Sequence, residues 1–437
     1  HGASLSGAIA VEYSSRPSGG TVALTLFPRT LLLVVLTVAA PSAAVATPPG
    51  DAAAADAATL LCDVSILAAP ALRGRETGTS ESALAARYVA QRFRLLGLEP
   101  PPGAPGFLQP VPLARIAYDA GASSFSWSAS AAGTAPGSGS AASARLTTGA
   151  DCFVETGAVP DAVGTDLAVV FAGWGIAAPE KKHDDFAGLD VGGKAVLVWN
   201  GEPKTESGGS AFADGRMSRF AFASTKLAAA ASRGARLLIV AGTPGGVPLD
   251  KMIASKRRDL TRPRLVAANA PPRPAIVYIG PEPGEPLLRA AGLDPVAAFA
   301  AAKPGQPAGR ALAGVSARLD LAGLAVEPVA EQNVLALLPG SDPALAGAPV
   351  LVSAHHDHLG VEPAASGPPT VFPGADDNAS GVAGVLQVAA ALAAGPRPPR
   401  PVLFASFTGE EENTLGSNYL AAHPLPEGSR PYAVVNL

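Results

Sequence analysis

The chain has 437 residues, 48% of them hydrophobic and 16% charged, which suits two or three packed domains and excludes a wholly disordered chain. A formal net charge of −4 leaves no basic surplus, so no nucleic acid is implied as a partner. Two cysteines, Cys62 and Cys152, make no disulfide framework and read as unpaired, mostly buried thiols.

The chain begins with His1. Arg29-Thr30 precedes an apolar run from Leu31 to Ala40, and Ala44-Val45-Ala46 supplies a small-residue cleavage site. These are the parts of a secretory signal peptide over residues 22–46, with residues 1–21 upstream of any sensible start. The apolar run is short for a transmembrane helix. The mature protein is therefore expected to be secreted or periplasmic, with no membrane contact after cleavage.

Residues 47–56 read as a linker. From Ala57 the apolar spacing becomes helical through Leu60, Leu61, Val64 and Leu67, and stops at Pro70. Arg73-Gly74-Arg75-Glu76-Thr77-Gly78-Thr79 reads as a polar loop. Ser80 is then the expected N-cap of an amphipathic helix carrying Ala83, Ala86, Val89, Phe93 and Leu96 on one face, closed by Gly97. Residues 116–149 are Ala/Gly/Ser-rich with weak alternation, a β hairpin or a loop. Strand-like runs at Ala168–Gly175 and Lys194–Trp199 flank His183-Asp184-Asp185-Phe186, whose acids read as solvated loop residues. A helix over Lys226–Arg233, strands at Ala235–Val240 and Ala275–Ile279, and a short helix near Pro286–Ala291 follow.

Asn333–Leu338, Val350–Val352 and Val402–Phe404 are nearly all apolar, as expected of central strands covered on both faces. Ser380–Ala394 reads as a helix packed by Val382, Val385, Leu386 and Ala389. Strand, helix and strand, with polar residues just beyond the strand ends, is an α/β layout in which sites form at the carboxyl edge.

Three motifs occupy those edges: His355-His356-Asp357-His358, the loop Gly374–Gly381 with Asp376-Asp377-Asn378, and Gly409-Glu410-Glu411-Glu412 followed by Gly416-Ser417. Alone, each has a bland explanation. A His-x-Asp is commonly a surface cluster, and paired acids at a helix start often only cap its dipole. Together and in this order they resemble the co-catalytic zinc aminopeptidases of peptidase family M28. The Leu-x-Gly-Arg loop ending at Arg75 resembles that family's N-terminal segment, and residues 150–280 resemble a protease-associated (PA) domain.

The resemblance implies a Zn-exopeptidase-like mixed sheet flanked by helices and interrupted by the β-rich PA domain. The expected division is an upstream segment and signal peptide (1–46), the N-terminal part of the peptidase domain (47–115), an insert (116–325) and the rest of the peptidase domain (326–437). It implies two Zn²⁺ ions, one or both replaceable by another divalent metal, held by His355, Asp377 and Glu411, with Asp377 bridging and Asp376 supporting. Asp357 is the implied carboxylate partner of His355, and Glu410 the general base. His356 and His358 are left without a role. The bond Asp377–Asn378 is implied to be cis. Asn413-Thr414 departs from the family's usual Gly-Leu.

The implied substrates are peptides with a free N-terminus. A metallo-carboxypeptidase or acyltransferase of the same fold, or a non-catalytic PA-containing binding protein, are the alternatives. Binding proteins of that kind usually lose ligands, whereas every ligand position reached here is filled. The family places a further metal-binding Asp directly after the pair Asn436-Leu437 and a ligand His beyond it, so the sequence as given is expected to bind metal weakly and hydrolyse little.

Overall fold

The computed structural model describes residues 56–130, 140–364 and 366–437. The expected signal segment, most of the linker and the middle of the 116–149 stretch lie outside them. Helix α1 (Ala57–Leu67) leads through the 73–79 loop to α2 (Ser80–Leu95). Strand β1 (Leu108–Ser130) is answered by β2 (Ser140–Thr147), so the weakly alternating stretch pairs as a hairpin. Next come β3 (Cys152–Glu155), β4 (Leu167–Phe171), β5 (Ala195–Trp199), α3 (Ala223–Ala231), β6 (Leu237–Ala241), β7 (Arg264–Ala267), β8 (Ala275–Ile279) and α4 (Pro281–Ala290). The long β9 (Arg310–Leu338) returns to β10 (Val350–His355), α5 (Ser380–Ala394), β11 (Val402–Phe407), α6 (Leu415–Ala422) and β12 (Ala433–Asn436).

Among the described residues these strands form one 12-stranded mixed sheet in the order β12-β10-β11-β9-β4-β5-β6-β8-β3, with β1 pairing β9, β2 and β7. The run Asn333–Leu338, expected as a short strand, is the end of a 29-residue one. Its partner is β1, antiparallel from Leu108 opposite Val334 to Ala129 opposite Val315, with register shifts around Asp119. The expected limits of the insert face each other in this ribbon, Ile116 opposite Val326.

Side chains alternate across the β9–β12 part of the sheet, as the pleat requires. Val334 and Ala336 of β9 join Val352, Phe404, Val382, Leu386, Val89 and Phe93 in one core, while Leu335 and Leu337 face Leu351, Leu403, Phe407 and Leu420 on the other side. Phe93 and Phe404 rings lie 6.0 Å apart at the centre of the first core. Removing either ring should cost about 3–5 kcal/mol, the usual loss for a buried aromatic. Strands β5, β6 and β8 are likewise buried on both faces, with Leu197, Ile239 and Val277 on one side and Val198, Leu238 and Ile276 on the other.

Three local expectations need correction. The N-cap of α2 is Thr79, whose hydroxyl accepts from Ser82 N at 3.3 Å, one residue before Ser80. Cys62 is exposed, because it falls on the solvent side of α1, while Cys152 is buried. Asp185 is wholly buried: its Oδ2 accepts the Ile176 N–H at 3.0 Å and lies 3.1 Å from His183 Nε2. The partners that remove it from solvent come from its own hairpin and cannot be read from local polarity.

Candidate active site

Strands β10 and β11 run parallel with His355 opposite Phe407, so both deliver their next residues to one edge of the sheet. There β10 ends in His355, and β11 continues into Thr408-Gly409-Glu410-Glu411. The Gly374–Ala379 segment enters the same edge before α5. Gly374 has φ +57, and a Cβ on it would come within 2.4 Å of Asp377 O, so glycine is required twice over. The Asp377–Asn378 bond is cis.

All five residues expected at the site converge. His355 Nε2 lies 3.0 Å from Asp377 Oδ1 and 3.9 Å from Glu410 Oε2. On the other side of the ring, Nδ1 is 3.1 Å from the Asp357 carbonyl oxygen and 3.6 Å from its Oδ1. The buried Asp357 carboxylate accepts the Thr77 hydroxyl at 2.9 Å and the main-chain N–H groups of Glu410 and Glu411 at 3.2 and 3.3 Å. It therefore fixes the turn that presents both glutamates as well as the imidazole. Asp377 and Glu410 face solvent, their side chains 66% and 44% exposed.

His356 and His358 part company. His356 is wholly buried, bonds Ser406 Oγ through Nδ1 at 3.0 Å, and is pulled down to about 4 by its burial. It is a neutral interior residue. His358 Nδ1 lies 2.6 Å from Glu411 Oε1, and one ligand atom each from His358, Asp377 and Glu411 fall within 4.8 Å of one another. The chain leaves the extended strand after His355, so spacing alone could not bring His358 to the site.

The electrostatics follow from crowded carboxylates. Burial, with the charges of Asp377 and Asp357, pushes Glu411 up to about 7. Burial works to lower His355, but the hydrogen bond and charge of Asp357, helped by Glu410 and Asp377, lift it to about 9. Burial works to raise Asp357, yet His355 and His356, with the Glu410 N–H, hold it below the ordinary carboxylate range. Imidazole and carboxylate donors whose like charges raise one another's pKa are a set that a divalent cation would neutralise, and they fit zinc.

Two further groups surround the site. Arg75, from the polar loop that carries the Leu-x-Gly-Arg resemblance but to which no role was given, is fully buried and donates to four main-chain carbonyls: His356 O at 2.7 Å, Pro373 O at 2.8 Å, Gly374 O at 2.9 Å and Leu67 O. Burial pulls its guanidinium down to about 10, against the opposing charges of Asp357 and Asp377, so it stays charged at neutral pH. Residues 258–264 supply one wall of the adjoining cleft, where Arg258, Arg262 and Arg264 meet Glu76, His358, Glu411 and Glu412. Arg262 lies 3.6 Å from Glu76 and donates to Val361 O at 3.1 Å, and Arg264 lies 3.9 Å from Glu412. None of these arginines carries a local sequence signal beyond its charge.

Residues 333–437 match the family model described as Peptidase family M28. That segment holds all five expected site residues, together with His358. Among solved structures, the chain is similar to an aminopeptidase from Aneurinibacillus sp. strain AM-1, at 20% identity and a TM-score of 0.44, covering 86% of this chain and 68% of that one. It is also similar to BSAP, a zinc aminopeptidase from Bacillus subtilis, at 19% identity and a TM-score of 0.38, covering 87% and 69%. A third is a Peptidase M28 precursor from Shewanella amazonensis, at 16% identity and a TM-score of 0.34, covering 83% and 66%.

Proposed function

We propose that the chain is a metallo-aminopeptidase that removes N-terminal residues from peptides. The observation that carries this reading is the meeting of His355, Asp377, Glu410 and Glu411 at one sheet edge, within a segment that matches a peptidase family. His355, Asp377 and Glu411 would hold two zinc ions, with His358 beside Glu411. When bound, zinc supplies Lewis acidity that lowers the pKa of water and polarises a carbonyl.

The chain's own groups do the rest. Glu410 is exposed, with its carboxylate 3.9 Å from the His355 imidazole, so solvent reaches the group that accepts the proton. It takes that proton from the attacking water as the oxygen bonds to the scissile carbonyl carbon. It returns it to the amine nitrogen as the C–N bond breaks. Asp357 orients His355 through Nδ1 and holds the Glu410-Glu411 turn, so base and ligands keep a fixed separation. The export segment and the PA insert belong to the same proposal, of an enzyme acting outside the cytoplasm.

The test strips the protein with a chelator, restores zinc, and compares leucine p-nitroanilide with its N-acetylated form. Slow cleavage of the unblocked substrate alone, lost on chelation and regained with zinc, is expected. Equal rates on both substrates, or indifference to the chelator, would overturn the reading.

A further inference from the structure

The segments carrying His355 and Asp377 are 22 residues apart in sequence, and between them the chain pairs Gly360–Glu362 antiparallel with Thr370–Phe372. What spans them nearer the site is Arg75. Its Nε reaches His356 O at 2.7 Å, while Nη1 reaches Pro373 O at 2.8 Å and Leu67 O, and Nη2 reaches Gly374 O at 2.9 Å. One rigid planar group thereby ties the end of β10, the approach to Asp377 and the end of α1. The tie is returned: His358 N donates to Arg75 O at 3.2 Å and Gly360 N to Gly74 O at 3.1 Å.

The loop adopts a costly conformation to place this side chain. Arg73, Gly74 and Arg75 are all left-handed, at φ 43, 74 and 51. For the two arginines that conformation carries a penalty which persists only where the surroundings over-determine it. A Cβ on Gly74 would sit 2.4 Å from Phe372 O and 2.6 Å from Gly360 O, so the loop is pressed against the very segments it ties. The guanidinium is also an unusual choice for a purely structural tie. It is a wholly buried cation whose hydrogen-bond partners are carbonyls, and its charge acts on Asp357 and Asp377. A neutral donor could satisfy one or two carbonyls, but only the five-donor fork reaches four.

We infer that Arg75 is a positioning residue of the active site, which sets the separation of the His355 and Asp377 segments before any ligand binds. The inference rests on the proposed function for what those segments hold, but the tie itself does not depend on it. Lysine keeps the charge and loses the fork, so Arg75→Lys should loosen both segments while the sheet stays intact.

The experiment is amide hydrogen exchange on the chelator-treated protein, comparing wild type, Arg75→Lys and Arg75→Met. Exchange at least tenfold faster in residues 355–360 and 374–379, with 195–199 and 237–241 unchanged, is expected for both variants. Unchanged exchange in the two site segments, or a rise spread evenly into the insert strands, overturns the inference. Should Arg75→Met not fold, Arg75→Lys decides alone. A cobalt titration then separates this inference from the reading it rests on. Wild type should bind cobalt, and Arg75→Lys should bind it at least tenfold more weakly with an altered visible spectrum; equal affinity overturns the inference. A wild type that takes up no cobalt sinks the metallo-peptidase reading, and the exchange result still decides Arg75.

Discussion

Thr77 donates its hydroxyl to Oδ2 of Asp357 at 2.9 Å, joining a loop near the start of the described chain to the carboxylate that holds His355 and the Glu410-Glu411 turn. Asp357 is fully buried, so each of its donors counts. Thr77→Val keeps the shape and deletes one donor to a buried charge, a loss of about 1–3 kcal/mol. Denaturant unfolding should show that loss for Thr77→Val and little for Thr77→Ser. A valine variant as stable as wild type would mean that the hydroxyl contributes nothing to the carboxylate.

Glu410→Gln keeps the side chain's size and removes its basicity. Turnover should fall by about 10²–10⁴, the range for a positioned general base. Metal content by atomic absorption should stay near that of the parent, since Glu410 stands apart from the His358–Asp377–Glu411 group. Loss of the metal along with activity would show that Glu410 is a ligand and not the base.

The departure at Asn413-Thr414 has a structural expression. Both residues are left-handed, at φ 67 and 58, in the turn closed by Thr414 N donating to Glu410 O at 2.9 Å. Asparagine tolerates this region and a β-branched residue does not. Thr414→Asn should therefore raise stability by about 1 kcal/mol, read as a higher melting temperature. A lower melting temperature would mean that the hydrogen bonds of Thr414 Oγ1 to Asn413 O and from Asn418 outweigh the backbone relief.

Strong periodicity was legible and long-range pairing was not. Helix α5 and strand β8 occupy the residues their apolar spacing predicts, Ser380–Ala394 and Ala275–Ile279. The 29-residue β9 was visible only at its apolar end, because most of it is Ala/Gly-rich and is held by pairing with β1 rather than by its own pattern. That the carboxylates and His355 come together at one sheet edge was legible, because their motifs sit directly at strand and helix ends. The surroundings of Arg75, His358 and the arginines of residues 258–264 were not. They arise where distant segments cross, and a charged residue in a Gly-rich loop looks the same in sequence whether buried or solvated.

Lys226 makes the fold's stability depend on pH in a definite direction. It is 1% exposed and donates to Gly201 O at 2.6 Å and to Trp174 O. Burial pulls it from 10.5 down to about 7, against the opposing charges of Asp185 and Glu202. Between those values the unfolded chain holds a proton that the folded one has given up, so this residue makes stability rise with pH. One proton sets a ceiling of about 1.4 kcal/mol per pH unit, and below pH 7 its contribution is flat. His355 works the other way: its folded value of about 9 lies above the unfolded 6.5, so its stabilisation fades as pH rises through that window. The two slopes offset each other in the wild type. The difference between wild type and Lys226→Met isolates the first, because His355 is common to both. Urea unfolding at pH 7, 8 and 9 should show wild type gaining on Lys226→Met at each step. A difference constant across the three pH values would mean that Lys226 is charged in the folded protein throughout.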